Sequence, residues 1–256
     1  MKKIALLLVV LILTTLALSG CAQKDAYDLY TAMSEKMASV KSLNMDLSGS
    51  FVINSDGQKQ DLSLSGNIQE VKKSENDVDM AMNMKTSVAS TDINIEEYYK
   101  NGVLYMSAMG QKLKMNMDLS KVKQQSNSDI LNFERDAINS VTVTDVDGGK
   151  KLSFKLSAKS MTSYLNNTMN SLKSSLGVDL SKANFTFSDV TYDVIADSDN
   201  MIKSYHMNFT MNFEVNGKAA SVDYDITTSL KSVNDVTITF PADLDTYTEQ
   251  TLPSTN

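Results

Sequence analysis

The sequence predicts an α+β domain that is mostly antiparallel sheet: a curled sheet or half-barrel of about ten strands, covered by two or three helices. Three observations lead there. Apolar residues alternate with polar ones in run after run, and Asp-Gly and Asn-Gly pairs, the turn signals of hairpins, separate the runs. Both prolines, Pro241 and Pro253, lie near the C-terminus, so the body is free of residues that cannot donate to a ladder. Two segments, near Ala26 and near Lys159, break the alternation with apolar residues at helical spacing.

The chain of 256 residues opens with an address. Lys2 and Lys3 precede an almost wholly apolar run from Ile4 to Leu18, and Ser19 and Gly20 follow, the order of a secretory signal. The run is shorter than the about 20 residues that span a bilayer. Cys21, the only cysteine, stands directly after Leu18-Ser19-Gly20. That stretch resembles the bacterial lipobox, in which the thiol receives a diacylglyceryl group and the signal is cut just before it. The resemblance implies a signal peptide over 1–20, lipidation at Cys21, a lipidated tether over 21–25, and a protein held by its lipid on the outer face of the cell membrane. Two or three acyl chains, each contributing about 0.8 kcal/mol per buried methylene, make such an anchor stable.

A single β-rich domain is expected over 26–242. Ala26, Leu29, Tyr30, Met33, Met37 and Val40 share one helical face, with Asp25 as its N-cap. Period two then begins with Met45, Leu47, Phe51 and Ile53. Asp56-Gly57 turns the chain into Leu62, Leu64 and Ile68. Val78, Met80, Met82 and Met84 make the next strand, and Ile93 and Ile95 lead into Tyr98 and Tyr99. Asn101-Gly102 turns into Val103 to Met109, and after Gly110 come Leu113, Met115 and Met117. Leu119 to Ile138 reads as irregular or helical. Val141 and Val143 pair through Asp147-Gly148-Gly149 with Leu152, Phe154 and Leu156. A second amphipathic helix runs from about Lys159 to Leu176, capped by Ser160 and closed by Gly177. Strands return with Phe185 to Tyr192, then Tyr205 to Val215, then Val222 to Leu230, and Val236, Ile238 and Phe240 close the domain. Residues 243–256 read as a disordered tail.

Composition excludes several functions. The net charge is -7, and it falls to -9 once Lys2 and Lys3 leave with the signal. An acidic body disfavours nucleic acid and adhesion to anionic lipid. With Cys21 lipidated no thiol remains for a disulfide, and with one histidine in the chain, zinc and copper lack a ligand set. His206 falls on the polar side of its strand. Ser120 and Lys123 match S-x-x-K without the S-D-N or K-T-G that would support it. Asp197, Asp199 and Asn200 open like a calcium loop, but Ile202 and Asn208 stand where glycine and glutamate are required. No cofactor and no enzymatic activity are expected.

A lipobox, a helix near Ala26, long alternating strands and a second late helix resemble the envelope lipoproteins related to the lipoprotein carriers of the Lol system (LolA-like proteins) and the mycobacterial glycolipid-binding lipoproteins. The segment Tyr98-Tyr99-Lys100-Asn101-Gly102-Val103-Leu104-Tyr105-Met106, followed by Gly110-Gln111-Lys112, is similar to an uncharacterised Gram-positive lipoprotein family in that group. The resemblance implies an incomplete barrel whose helices cover an apolar cavity. It supplies no binding motif to carry over residue by residue.

The high methionine content, 16 residues, is the one oddity with functional content. Met80, Met82, Met84, Met115, Met117, Met207 and Met211 fall on apolar sides of strands with Phe209, and Met161 and Met169 fall on the helix that would cover them. Flexible thioethers suit an adaptable apolar site, and they equally fill an ordinary core. These residues are the candidate ligand lining. One reading is therefore a membrane-anchored lipoprotein with a cleft for an acyl chain or another apolar envelope molecule. The other is a solid-core surface or sensory lipoprotein that binds an envelope protein or cell-wall polymer.

Overall fold

Residues 26–38 form the helix that the apolar spacing predicts, α1. In the computed structural model, which describes residues 26–88, 91–119, 135–158, 184–215 and 218–250, Ala26, Tyr30, Met33 and Met37 of its inner face are buried, as is Val40 just beyond. Asp25, the expected cap, and the expected second helix with Met161 and Met169 lie outside the described residues.

The strands are β1 (Ser42–Ser55), β2 (Gln58–Ser74), β3 (Asp77–Val88), β4 (Thr91–Lys100), β5 (Val103–Ala108), β6 (Gln111–Asn116), β7 (Ile138–Val146), β8 (Gly149–Leu156), β9 (Asn184–Phe187), β10 (Val190–Asp197), β11 (Ile202–Val215), β12 (Lys218–Val233) and β13 (Thr248–Glu249). All 13 belong to one curled, unclosed sheet, in the order β13-β6-β5-β4-β3-β2-β1-β12-β11-β10-β8-β7, with β9 beside β11. Among the described strands only β13, against β6, pairs in parallel. The half-barrel class stands, with more strands than the about ten that suffice to make a sheet curl.

The turn chemistry is that of tight hairpins. Asp56 and Gly57 have φ of 52° and 74°, and Asn101 and Gly102 have 51° and 78°, the left-handed conformations that such turns require. Register then carries the apolar side of each strand into the next. Phe154, Tyr192, Met207, Ile226, Gly49 and Leu64 follow one another across β8, β10, β11, β12, β1 and β2. This is the concave face.

α1 packs on one half of it. Tyr30, Met33 and Met37 join Leu152, Phe154, Val190, Tyr192, Val194 and Ile202 in the larger core cluster. Met33, Leu152, Phe154 and Val194 are 0 % exposed. Tyr30 meets Phe154 edge-on at 5.1 Å between ring centroids. Each such side chain contributes about 1.5–3 kcal/mol by leaving water. A smaller cluster of Val78, Tyr99, Leu104 and Met117 sits at the β3–β6 end of the same face.

Several local expectations are corrected. Phe185 to Tyr192 is two strands, because Ser188 leaves the ladder: its hydroxyl accepts the Thr210 N–H at 2.8 Å. Ile138 is the first residue of β7, and a 3-10 turn over Arg135–Ala137 precedes it. Val236, Ile238 and Phe240 form no strand. Up to residue 250 the expected disordered tail is ordered: Leu244–Thr246 forms a 3-10 turn and Thr248–Glu249 is β13. The segment from Val236 to Tyr247 straps the convex face, with Phe240 edge-on to Tyr98 at 6.2 Å and Tyr247 edge-on to Tyr105 at 5.6 Å. The alternation there is real, but its partner is the convex face of a finished sheet rather than a neighbouring strand. Among the described residues no helix is long and apolar enough to cross a membrane.

Candidate functional site

The same apolar face is treated differently in its two halves. Beneath α1 the inward residues of β8 and β10 are buried. Across β1 to β5 the inward Met45, Leu47, Phe51, Leu62, Leu64, Ile68, Met82, Met84, Ile95 and Met106 are only half-buried. Ten partly accessible apolar side chains on one sheet face are a candidate contact surface for an apolar partner.

The floor of this half is set by register. Met82 is opposite Ile68 on β2 and Glu97 on β4, and Met106 of β5 is opposite Glu97 and Leu113. Met84 is opposite Gly66 and Ile95, and Met80 is opposite Glu70 and Tyr99. Directly opposed side chains in such ladders have their Cβ atoms about 5 Å apart, so Met80, Met82 and Met84 of β3 and Met106 and Met115 of β5 and β6 flank Ile95, Glu97 and Tyr99 of β4 on one face. Tyr99 closes its end, donating its hydroxyl to the Met117 carbonyl at 3.1 Å. Gly66 lets β2 and β3 approach closely: a Cβ there would come to 2.6 Å from the Asn83 carbonyl oxygen.

Within that floor stands one carboxylate. Glu97 has Met82 and Met106 across the ladders and Ile95 and Tyr99 along its own strand. Burial among them raises its pKa above the ordinary carboxylate value. The alternation of Ile93 and Ile95, continued by two residues, puts position 97 on the apolar face. That signal is present in the sequence, where Glu97 continues the period two of Ile93 and Ile95 just before Tyr98 and Tyr99. Tyr98 faces the other way, onto Phe240.

The proposed lining residues divide accordingly. Met80, Met82, Met84 and Met115 share the half-buried floor, and Met117 is buried in the small cluster beside them. Met207 and Met211 pack against the α1 cluster, and Phe209 is part of it, stacked on Tyr224 at 4.5 Å. Those three are one strand face away, in the filled half.

Away from the aromatic contacts of the strap the convex face is polar. His206 lies there, its Nε2 3.0 Å from Asp225 and its Nδ1 4.0 Å from Asp193. Burial pushes the Asp193 pKa up, but the Lys151 ammonium at 2.8 Å and the Ser153 hydroxyl more than reverse it. An open depression of about 480 Å³ lies at the hairpin tips, between Asn54–Gly57, Thr186, Asn212–Glu214 and Ala219–Ser221. It is at the far end of β1 from Met45. Among the described residues no three His, Cys, Asp or Glu side chains are grouped to hold a metal ion.

A family model described as "Family of unknown function (DUF6612)" matches residues 25–247. No curated protein matches the chain. Among solved structures it is similar to LprF from Mycobacterium bovis, with 10 % identity and a TM-score of 0.40 over 85 % of this chain and 96 % of that one. A DUF1329 family protein from Desulfovibrio piger overlays with 13 % identity and a TM-score of 0.26 over 85 % and 95 %. A putative outer membrane lipoprotein-sorting protein domain from Vibrio parahaemolyticus does so with 8 % identity and a TM-score of 0.23 over 86 % and 97 %. At these identities and scores none of the three carries a function to this chain.

Proposed function

The chain belongs to the DUF6612 family, whose description names no activity, and from its own geometry we propose that it is a lipid-anchored envelope lipoprotein that holds an apolar ligand against the concave face of β2–β6. The observation that carries this is the partly exposed methionine floor on the very face that α1 buries elsewhere. Methionine suits it, because an unbranched thioether repacks around ligands of differing shape. An adaptable floor fits an acyl chain or a similar envelope molecule. The Leu18-Ser19-Gly20-Cys21 stretch supports the anchor, which would keep the domain next to a supply of such molecules.

The alternative, a solid-core protein that binds an envelope protein or polymer, is favoured by the filled cluster under α1 and by the polar convex face. Native mass spectrometry of the gently purified chain, together with titration by single-chain dodecyl compounds, separates the two. Binding of uncharged dodecanol that weakens about tenfold in Met82→Asp or Met106→Asp supports the cleft, since a charge on the floor must be desolvated by an apolar ligand. Absence of any co-purified lipid and of any dodecyl binding sinks it. For the anchor, Cys21→Ala should release the protein or leave it with its signal attached; a processed protein that still partitions with membranes would contradict the lipobox.

A further inference from the structure

We infer that the ligand held on the concave face is a cationic amphiphile, its chain lying along the methionines of β3 and β5 and its ammonium or similar N–H-bearing group received by Glu97. This inference rests on the apolar-ligand reading above and adds the chemistry of the polar end.

A carboxylate is a costly residue for an apolar floor. Unpaired, it loses hydration with nothing in return, and every other inward side chain of β3 and β5 near it is apolar. Glu97 has no ion pair or hydrogen bond among the described residues, whereas the exposed carboxylates of Asp46, Asp92, Asp145 and Asp243 all have lysine partners. The low-exposure carboxylates of Asp79 and Asp193 are paired too, with Lys73 at 2.7 Å and Lys151 at 2.8 Å, so Glu97 is a largely desolvated carboxylate for which the described residues provide no cation. A cationic group arriving with the ligand would complete the site, in a setting where charge-assisted hydrogen bonds are strongest.

The surrounding charge points the same way. The second inward carboxylate of this half, Glu70, is opposite Met80 and diagonal to Met82. The inward Lys72, opposite Val78, is exposed at the end of β2. An anionic headgroup placed against Met82 would face two carboxylates and meet no cation of the floor. The net charge of -7 opposes it further.

The test uses the lipid-free mature chain, from residue 21, titrated with dodecylamine, dodecanol and dodecanoate below their aggregation limits. Wild type should bind dodecylamine about tenfold or more tighter than dodecanoate, the scale of a buried charged hydrogen bond. Glu97→Gln should abolish the preference, and Glu97→Leu should do so while keeping or improving affinity for dodecanol. Thermal unfolding of both variants confirms that they fold. Equal binding of all three compounds by wild type, or a preference that survives both variants, overturns this inference and leaves the apolar-ligand reading standing. Failure of all three to bind overturns both.

Discussion

Glu97 of β4 is paired across the ladder with Met82 of β3, so one cell of an otherwise apolar floor carries an ionisable group. Its raised pKa, caused by burial, has a definite consequence for stability. The folded state binds this proton more tightly than the unfolded chain does. The group's contribution is therefore fully present below the unfolded value, near 4.5, and is lost as pH rises through the higher folded value. Among the described residues, the other titratable groups that β2 to β6 turn inward are Tyr99 on β4 and Glu70 and Lys72 on β2; β3, β5 and β6 turn only uncharged residues inward. Glu97→Leu should accordingly be more stable than wild type at pH 7 by about 1–3 kcal/mol, the cost of an unsatisfied buried polar group. The gap should narrow as pH falls toward 4.5. Denaturant melts of both proteins at several pH values read this directly, and a gap independent of pH refutes it.

Most of the sheet was legible in the sequence, because period two and the turn pairs Asp56-Gly57 and Asn101-Gly102 specify hairpins locally. α1 was legible for the same reason, in its 3.6 period. What was not legible depends on partners distant in sequence. Phe240 and Tyr247 reach tyrosines of β4 and β5, and no local pattern announces that a segment after Pro241 will return to a sheet edge. The methionines were legible as inward-facing, but which half of the concave face α1 covers is a tertiary fact. It packs Phe209 into the cluster under α1 and sets the partly buried Met207 and Met211 against it.

The convex strap should be structural rather than accessory. Tyr247 is 3 % exposed, and Lys112 stands over its ring at 5.5 Å while also pairing with Asp243. The exposed Lys112–Asp243 pair contributes little by itself, since solvent screens it. The ring is different: truncating a buried aromatic to alanine removes about 3 kcal/mol or more. Tyr247→Ala should show that loss, and Asp243→Asn a much smaller one, in urea unfolding monitored by tyrosine fluorescence. Removal of residues 243–256 should match Tyr247→Ala or exceed it. Unchanged stability in the truncated chain would mean that the strap is not docked.

The floor itself depends on Gly66. A methyl group there would sit 2.6 Å from the Asn83 carbonyl oxygen and 3.1 Å from Cγ of Met84. Backbone on the neighbouring strand cannot yield as a flexible side chain can, so β2 must move away from β3. Gly66→Ala should then cost about 1–3 kcal/mol, the usual penalty of overpacking. Gly49→Ala, whose new Cβ would be 3.1 Å from the Asp225 carbonyl oxygen, should cost less. Ser65→Ala, exposed on the convex side next to Gly66, should stay within about 0.5 kcal/mol of wild type. The displacement would also spread the floor beside Met84, so Gly66→Ala should weaken dodecyl binding more than its stability loss alone explains at a temperature where the variant is fully folded. Equal stability for Gly66→Ala and Ser65→Ala would show that β2 and β3 do not approach so closely beside Met84.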